Sequence, residues 1–212
     1  MRTVRLLCVV TVVFLTAPLN ALDIAAVGVG SLAMPSYSAG STNLTTIPKI
    51  GLFGFGAIAG VYSLFPGFTI ETGILTAPHK FSIDGGTNLS FIVTDTLALN
   101  FIEVPILIRF DLLPIISFGV GGYLGFANGT ITRSSSVPNT ADKTETFEDN
   151  NLNKTDFGLM ASASVGMPIL PMVKLLVDLR YLHGLVNLSK LTDGSNARIR
   201  DLQVFAGIKV SL

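Results

Sequence analysis

The chain has 212 residues, with 49% hydrophobic residues, only 13% charged residues and no formal net charge. About a quarter of the residues of an ordinary globular domain are charged, so half the usual surface charge is missing and much of the surface must meet something other than water. No basic excess marks a nucleic-acid partner, and 21 glycines with 14 phenylalanines suit strands and tight turns better than helices.

The first element reads as a leader. Arg2 and Arg5 form a short basic region, and Leu6 to Leu15 is an apolar core broken only by Thr11. Pro18 then breaks the helix, and Ala21 supplies a small residue. This order predicts a cleaved secretory signal over residues 1–21 and a mature domain over 22–212, exported by the general secretory route. Ten apolar residues are too few to span about 30 Å of hydrocarbon as a helix. The only cysteine, Cys8, lies in the leader. The mature chain is then expected to carry no disulfide, thiolate or cysteine nucleophile.

Eight apolar or alternating runs follow: Leu22–Leu32, Ile50–Ser63, Phe68–Thr76, Thr96–Phe110, Ile115–Asn128, Thr155–Met167, Lys174–Asn187 and Ile199–Leu212. Each matches or exceeds the 9–11 residues, roughly, of a membrane-crossing strand. Three connections are short and hold a proline: Leu64–Gly67, Asp111–Pro114 and Pro168–Val173. The other four, Ala33–Lys49, Ala77–Asp95, Gly129–Lys154 and Leu188–Arg198, are long and polar. Short turns alternating with long loops predict an all-β fold, an eight-stranded antiparallel up-and-down transmembrane β-barrel. The expected site is the bacterial outer membrane, with loops extracellular and both termini periplasmic. Three long uncharged stretches also suit helical spans on hydropathy alone. Prolines at the turns and strict alternation in the last two runs oppose that reading.

The alternation sorts side chains into a lipid wall and a lumen, because a strand shows its faces with a period of two. In the last run Leu202, Val204, Ala206, Ile208, Val210 and Leu212 form the wall. Leu175, Val177, Leu179 and Tyr181 do so in the seventh. The first two runs are ambiguous. The inward row carries eight charges, four of each sign: Glu71, Glu103, Arg109, Lys174, Asp178, Arg180, Asp201 and Lys209. A narrow eight-stranded barrel is filled by side chains, with small residues making room for large polar ones. An unpaired charge there costs several kcal/mol, so the eight should pair. Counting from the turns suggests Glu71 with Arg109, Asp178 with Lys209, and Glu103 with Arg180.

Four segments carry a resemblance. They are Ile102-Glu103-Val104-Pro105-Ile106-Leu107-Ile108-Arg109-Phe110, Gly119-Val120-Gly121-Gly122-Tyr123-Leu124-Gly125, Leu179-Arg180-Tyr181 with Gly184-Leu185-Val186-Asn187, and Gly207-Ile208-Lys209-Val210-Ser211-Leu212. They resemble the fourth, fifth, seventh and last strands of the small outer-membrane β-barrel domain of bacterial porin-family and opacity-like proteins, of OmpX, OmpA and OmpW architecture. The resemblance covers nearly all of residues 22–212. It implies that Gly207, Val210 and Leu212 are a terminal signal for the barrel-assembly machinery. Phe205 stands where that signal has a polar residue, and Leu212 replaces the final aromatic.

Function varies widely on such a fold. The leading expectation is a structural and surface-interaction role through four loops, in a monomer whose partners are outer-membrane lipid and host or neighbouring-cell surface molecules. The alternative is transport, as a narrow pore or an apolar conduit with a pocket near Leu52, Ile58, Leu75 and Leu107. The third is a lipid-modifying enzyme. His79 is expected at the edge of the second loop near Ser82 and Asp84, and His183 on the outer face of the seventh strand. Neither is fixed against a nucleophile by spacing, so no enzyme, cofactor or metal is expected. The third loop is rich in Ser, Thr and Asn and is expected to be mobile and variable, either a contact for host, phage or neighbouring cell or a solvated lid. Asn-x-Ser/Thr matches at Asn43, Asn88, Asn128, Asn153 and Asn187 are expected to arise by chance.

Overall fold

A computed structural model describes residues 22–39, 42–44, 46–62, 67–84, 94–135, 141–190 and 195–212. The expected leader, the tip of the first turn and Asn88 lie outside the described residues. Eight long strands dominate: β1 Leu22–Ala33, β2 Thr46–Tyr62, β3 Phe68–Asp84, β4 Thr94–Leu113, β5 Ile116–Ala127, β6 Thr155–Leu170, β7 Val173–Gly184 and β8 Arg200–Ser211. Each pairs antiparallel with its neighbours in sequence. β1 pairs with β8 from Asp23 opposite Ser211 to Ala33 opposite Asp201. That last pairing joins the ends of the sheet, so the fold is an all-β, eight-stranded antiparallel barrel with no free edge. Among the described residues no helix is long and apolar enough to cross a membrane, and the described parts of the uncharged stretches run as strands and their turns.

The faces follow the alternation. Val177, Leu179, Tyr181, Val204 and Ile208 are exposed on the outer wall, while Asp178, Arg180, Leu182, Asp201, Gln203 and Phe205 are buried inside. β1 turns Asp23, Ala25, Val27 and Val29 inward and Ile24 outward. β2 turns Phe55 outward and Ile58 inward.

β3 and β4 run farther than expected. They pair up to Asp84 opposite Thr94, so most of the expected second loop is strand. Pro78 concealed this, because proline lacks a ladder donor and reads as a breaker. The structure accommodates it where β2 bulges: pairing between β2 and β3 jumps from Gly56–Leu75 to Lys49–Lys80 across Pro78.

Further strands lie at the loop end among the described residues. Strands Ser36–Ala39, Thr42–Leu44 and Asn196–Arg198 form a small separate sheet, and Ile131–Ser135 with Lys143–Glu145 extends the barrel sheet from β4.

Candidate functional site in the barrel lumen

Inward residues of the eight strands stack in layers from the turn end to the loop end. Lowest is an ion pair between Lys209 on β8 and Asp23 on β1. A cavity of about 30 Å³ opens beside it, room for about two waters. Lys174 is half-buried, directly opposite Lys209 in register, and joins none of the ion pairs found among the described residues.

Above lies a ring of four charges. Arg109 on β4 donates from Nε to Glu71 Oε2 at 2.5 Å and from Nη2 to Glu71 Oε1 at 3.2 Å. It also pairs with Asp178 and donates to Ser164 Oγ at 3.0 Å. Arg180 on β7 donates to Glu71 Oε1 and to Asp178 Oδ2, both at 2.8 Å. Its guanidinium carbon sits 4.3 Å from the centre of the Phe205 ring. Two cations thus serve two carboxylates, and Arg180 is fully buried. The fork of each guanidinium suits this sharing, because its donors lie in one plane at fixed angles. Gly119, opposite Arg109 in register, leaves the space: a Cβ there would lie 3.3 Å from Arg109 Cγ and 2.6 Å from Ser162 Oγ.

An apolar waist follows. Phe205, Leu75, Ile58 and Leu176 pack with Ala25, Val27 and Val29, and Leu107 packs with Tyr123, Met160 and Leu182. Leu75, Leu107 and Phe205 are 0% exposed. Of the residues expected around a conduit's apolar pocket, Ile58, Leu75 and Leu107 are buried in this waist, and Ile58 also lines the cavity below it; the Leu52 side chain lies outside the described set.

Over the waist sits a second polar layer. His79 Nε2 lies 3.2 Å from Glu103 Oε1, and His79 Nδ1 lies 3.1 Å from Asp201 Oδ2. Gln203 Nε2 donates to both Glu103 oxygens at 3.2 and 3.1 Å and to Asp201 Oδ2 at 3.0 Å. Tyr123 donates its hydroxyl to Asp156 Oδ2 at 2.6 Å. Asp156, Asp201 and Gln203 each keep one buried oxygen without a partner. Among the described residues, no three His, Cys, Asp or Glu side chains are arranged to hold a metal ion.

Two expected pairings give way here. Lys209 meets Asp23 and not Asp178, and Arg180 meets Glu71 and Asp178 and not Glu103. Pairing depends on the stagger between strands, which height counted along one strand does not include. Asp23, His79, Asp156 and Gln203 complete the lumen and were not among the eight expected charges. His79 is a buried lumen residue on β3 and not a loop-edge histidine. The odd-numbered row Thr69, Glu71, Gly73, Leu75 continues through Ala77 to His79, a signal hidden by Pro78. Asp156 begins the inward row of β6 and was legible by parity.

A family model described as "Outer membrane protein beta-barrel domain" matches residues 49–190, more than half of the chain. The chain belongs to this family. No curated protein matches the sequence. Among solved structures, Ail, the attachment invasion locus protein of Yersinia pestis in complex with the heparin analogue sucrose octasulfate, is 11% identical. That match covers 90% of this chain and 99% of Ail, at a TM-score of 0.40. OprG from Pseudomonas aeruginosa is 9% identical, with 92% and 97% covered and a TM-score of 0.41. Neisserial surface protein A is 13% identical, with 90% and 97% covered and a TM-score of 0.38.

In this bacterial outer-membrane barrel the apolar exterior is the lipid face. The loop end of the lumen is capped. Ile131 and Phe147 from the third loop and Leu188 and Ile199 flanking the fourth pack onto Phe101, Leu99, Phe81 and Ala33 at the strand tops. Phe101 links the layers, edge-on to His79 at 5.6 Å and to Phe147 at 5.7 Å. Of the third loop, Ile131 and Phe147 are the residues seated in this cluster.

Asn187 ties the fourth loop. Its Oδ1 accepts from the amides of Ser189 and Ala197 at 3.0 and 2.8 Å, and its Nδ2 donates to Ser195 O at 2.9 Å. Asn153 Nδ2 donates to the Asn187 carbonyl at 2.9 Å. Two of the Asn-x-Ser/Thr matches thus have structural duties. Near the tip of the third loop, the Lys154 ammonium donates to Glu148 at 2.7 Å and holds that carboxyl below its ordinary range. The Thr146 hydroxyl and amide do the same for Asp149. His183 sits half-exposed on the outer face of β7, 3.4 Å from the Tyr181 hydroxyl.

Proposed function

We propose that this protein is a closed outer-membrane anchor that displays a folded loop cap as a contact surface for molecules of a host or neighbouring cell. The observation that supports this reading is the continuous filling of the lumen. The arginine–carboxylate ring, the waist of Leu75, Leu107 and Phe205, the His79 layer and the Phe101–Phe147 cap follow one another along the lumen as buried side chains. The loops face the cell exterior, and the turns and both strand ends face the periplasm, as in barrels of this kind. Export follows the general secretory route, and the assembly machinery reads Gly207, Val210 and Leu212. The protein acts as a monomer in contact with outer-membrane lipid, and it is not an enzyme. His79 is buried beneath the cap, out of reach of a lipid substrate.

Single-channel recording of the folded protein in planar bilayers tests the reading. Electrical silence at neutral pH is the expected result, and steady conductance from the intact chain would replace the anchor with the pore. Adhesion of cells or beads carrying the protein, compared with a variant whose third loop is shortened between Gly129 and Lys154, tests the display role. Equal adhesion of the two would exclude the third loop as the contact.

A further inference from the structure

The apolar wall does not stop where the strands stop. At the end of β4 Leu112, 69% exposed, and Leu113 lead into the β4–β5 turn, where Ile115 is exposed beside Pro114. At the end of β6 Ile169 and Leu170 are likewise exposed and lead into the β6–β7 turn of Pro171 and Met172, the latter 65% exposed. A turn standing in water is normally built from Gly, Asn, Asp and Ser as well as Pro. Neither turn carries a charge between its strand ends, and the nearest charges, Asp111 and Lys174, belong to the inward rows. The two turns are neighbours on the rim, since the Gly166 amide donates to Ile115 O at 2.8 Å.

Continuity indicates what covers them. Leu112 prolongs the lipid-facing row Ile106, Ile108, Phe110, and Ile169 prolongs Val165, Met167. The outer row of β6 is apolar from Phe157 to Ile169. At the usual rise and tilt that is a height of about 30 Å, against an apolar band of about 25 Å in barrels of this class. The surplus has one place to go. At the loop end the outer rows finish on exposed polar residues: Lys80 on β3, Asn100 on β4, Thr155 on β6 and Arg200 on β8. These mark the water boundary, whereas the two turns offer no such mark.

We propose that the β4–β5 and β6–β7 turns are immersed in the lipid leaflet at the turn end, as a lipid-inserted rim continuous with the barrel wall. They do not stand in the aqueous phase or await a protein partner. Contact with acyl chains removes from water an apolar patch that would otherwise invite aggregation. The bilayer adjusts to the longer apolar face at modest cost by local thickening or by tilt of the barrel.

Residues 22–212 hold no cysteine, so single labels on a chain of those residues are clean. Leu113→Cys and Met172→Cys are labelled with bimane in vesicles of phosphatidylcholine carrying nitroxides on the acyl chain close to the headgroup. Phe118→Cys serves as a mid-wall reference and Asn128→Cys as a loop-end reference. Heat-modifiable gel migration confirms that each variant is folded. Both turn labels are expected to be quenched by the lipid nitroxide and to resist aqueous iodide at least threefold better than the Asn128→Cys label. Iodide quenching equal to that reference, with no lipid quenching, would overturn the proposal and leave the rim open to a protein partner. Hydroxyl-radical footprinting of the unmodified protein in the same vesicles gives a second readout. Met172 should oxidise at least threefold more slowly than Met34 at the loop end, and equal rates would also overturn it.

Discussion

The lumen holds two charged layers built on different terms. Near the turns, Glu71 and Asp178 meet Arg109 and Arg180, one cation for each carboxylate, and all four hydrogen-bond within one ring. Near the loops, Glu103 and Asp201 share the single imidazole of His79, while Asp156 bonds to Tyr123. The lower ring satisfies its charges by mutual pairing. The upper layer relies on neutral donors, Gln203 and Tyr123, and both layers keep buried atoms without a partner, Asp178 Oδ1 and Arg180 Nη1 below and an oxygen each of Asp156, Asp201 and Gln203 above. Burial makes pairing the decisive quantity, because an ion removed from water recovers its hydration only through close partners. The lower ring therefore acts as a rigid lock across β3, β4 and β7, and the upper layer tolerates a change of charge.

Removing a cation from the lower ring should have the largest effect. Arg180→Ala leaves Glu71 and Asp178 to share Arg109, and we expect a loss of about 3–5 kcal/mol in urea unfolding from lipid vesicles. The same variant opens a gap beside Phe205 and should raise ion leakage in planar bilayers above the silent parent. His79→Ala in the upper layer should cost about 1.5–3 kcal/mol, since it removes hydrogen bonds to two charged groups. Carboxylate neutralisation sharpens the contrast. Asp178→Asn should cost several kcal/mol by leaving an arginine uncompensated, whereas Glu103→Gln should cost about 1 kcal/mol or less. Equal costs for these two substitutions would mean that the layers are equivalent.

Smaller effects lie outside the lumen. Asn187→Ala removes three hydrogen bonds that hold the fourth loop, and amide exchange at Ser189 and Ala197 should accelerate while the barrel strands keep their protection. At the third-loop tip, the carboxyls of Glu148 and Asp149 should titrate below the ordinary carboxylate range by NMR. Their folded values are depressed, so the local order they support is complete above the unfolded value and is lost as pH falls through the folded one. Lys154→Ala should return Glu148 toward the ordinary range and leave Asp149 in place, because Asp149 is held by Thr146.

The legible parts share a cause. β7 and β8 alternate without a break, and Val177, Leu179, Val204 and Ile208 went to the wall while Asp178, Arg180 and Gln203 went inward as the period of two requires. The alternation carried no warning at Pro78, where a proline in mid-strand hid the upper half of β3 and with it His79. Asp23 was obscured because β1 alternates between apolar and small residues on both faces. Gly207, part of the expected terminal motif, has a structural reason visible only in the closed sheet: a Cβ there would collide with the Ala26 carbonyl of β1.

The sequence by itself determined the number and order of the long strands, the two faces of those that alternate cleanly, and the lipid wall, because each is a local property of neighbouring residues and of turn chemistry. Only the tertiary structure decided that Lys209 meets Asp23, that Arg180 meets Glu71 from 109 positions away, and that Phe147 seats on Phe101. Those contacts depend on the stagger with which β1 closes on β8 and on loop folding over the closed ring. Stagger is shared among all eight strands at once and is encoded in no one of them.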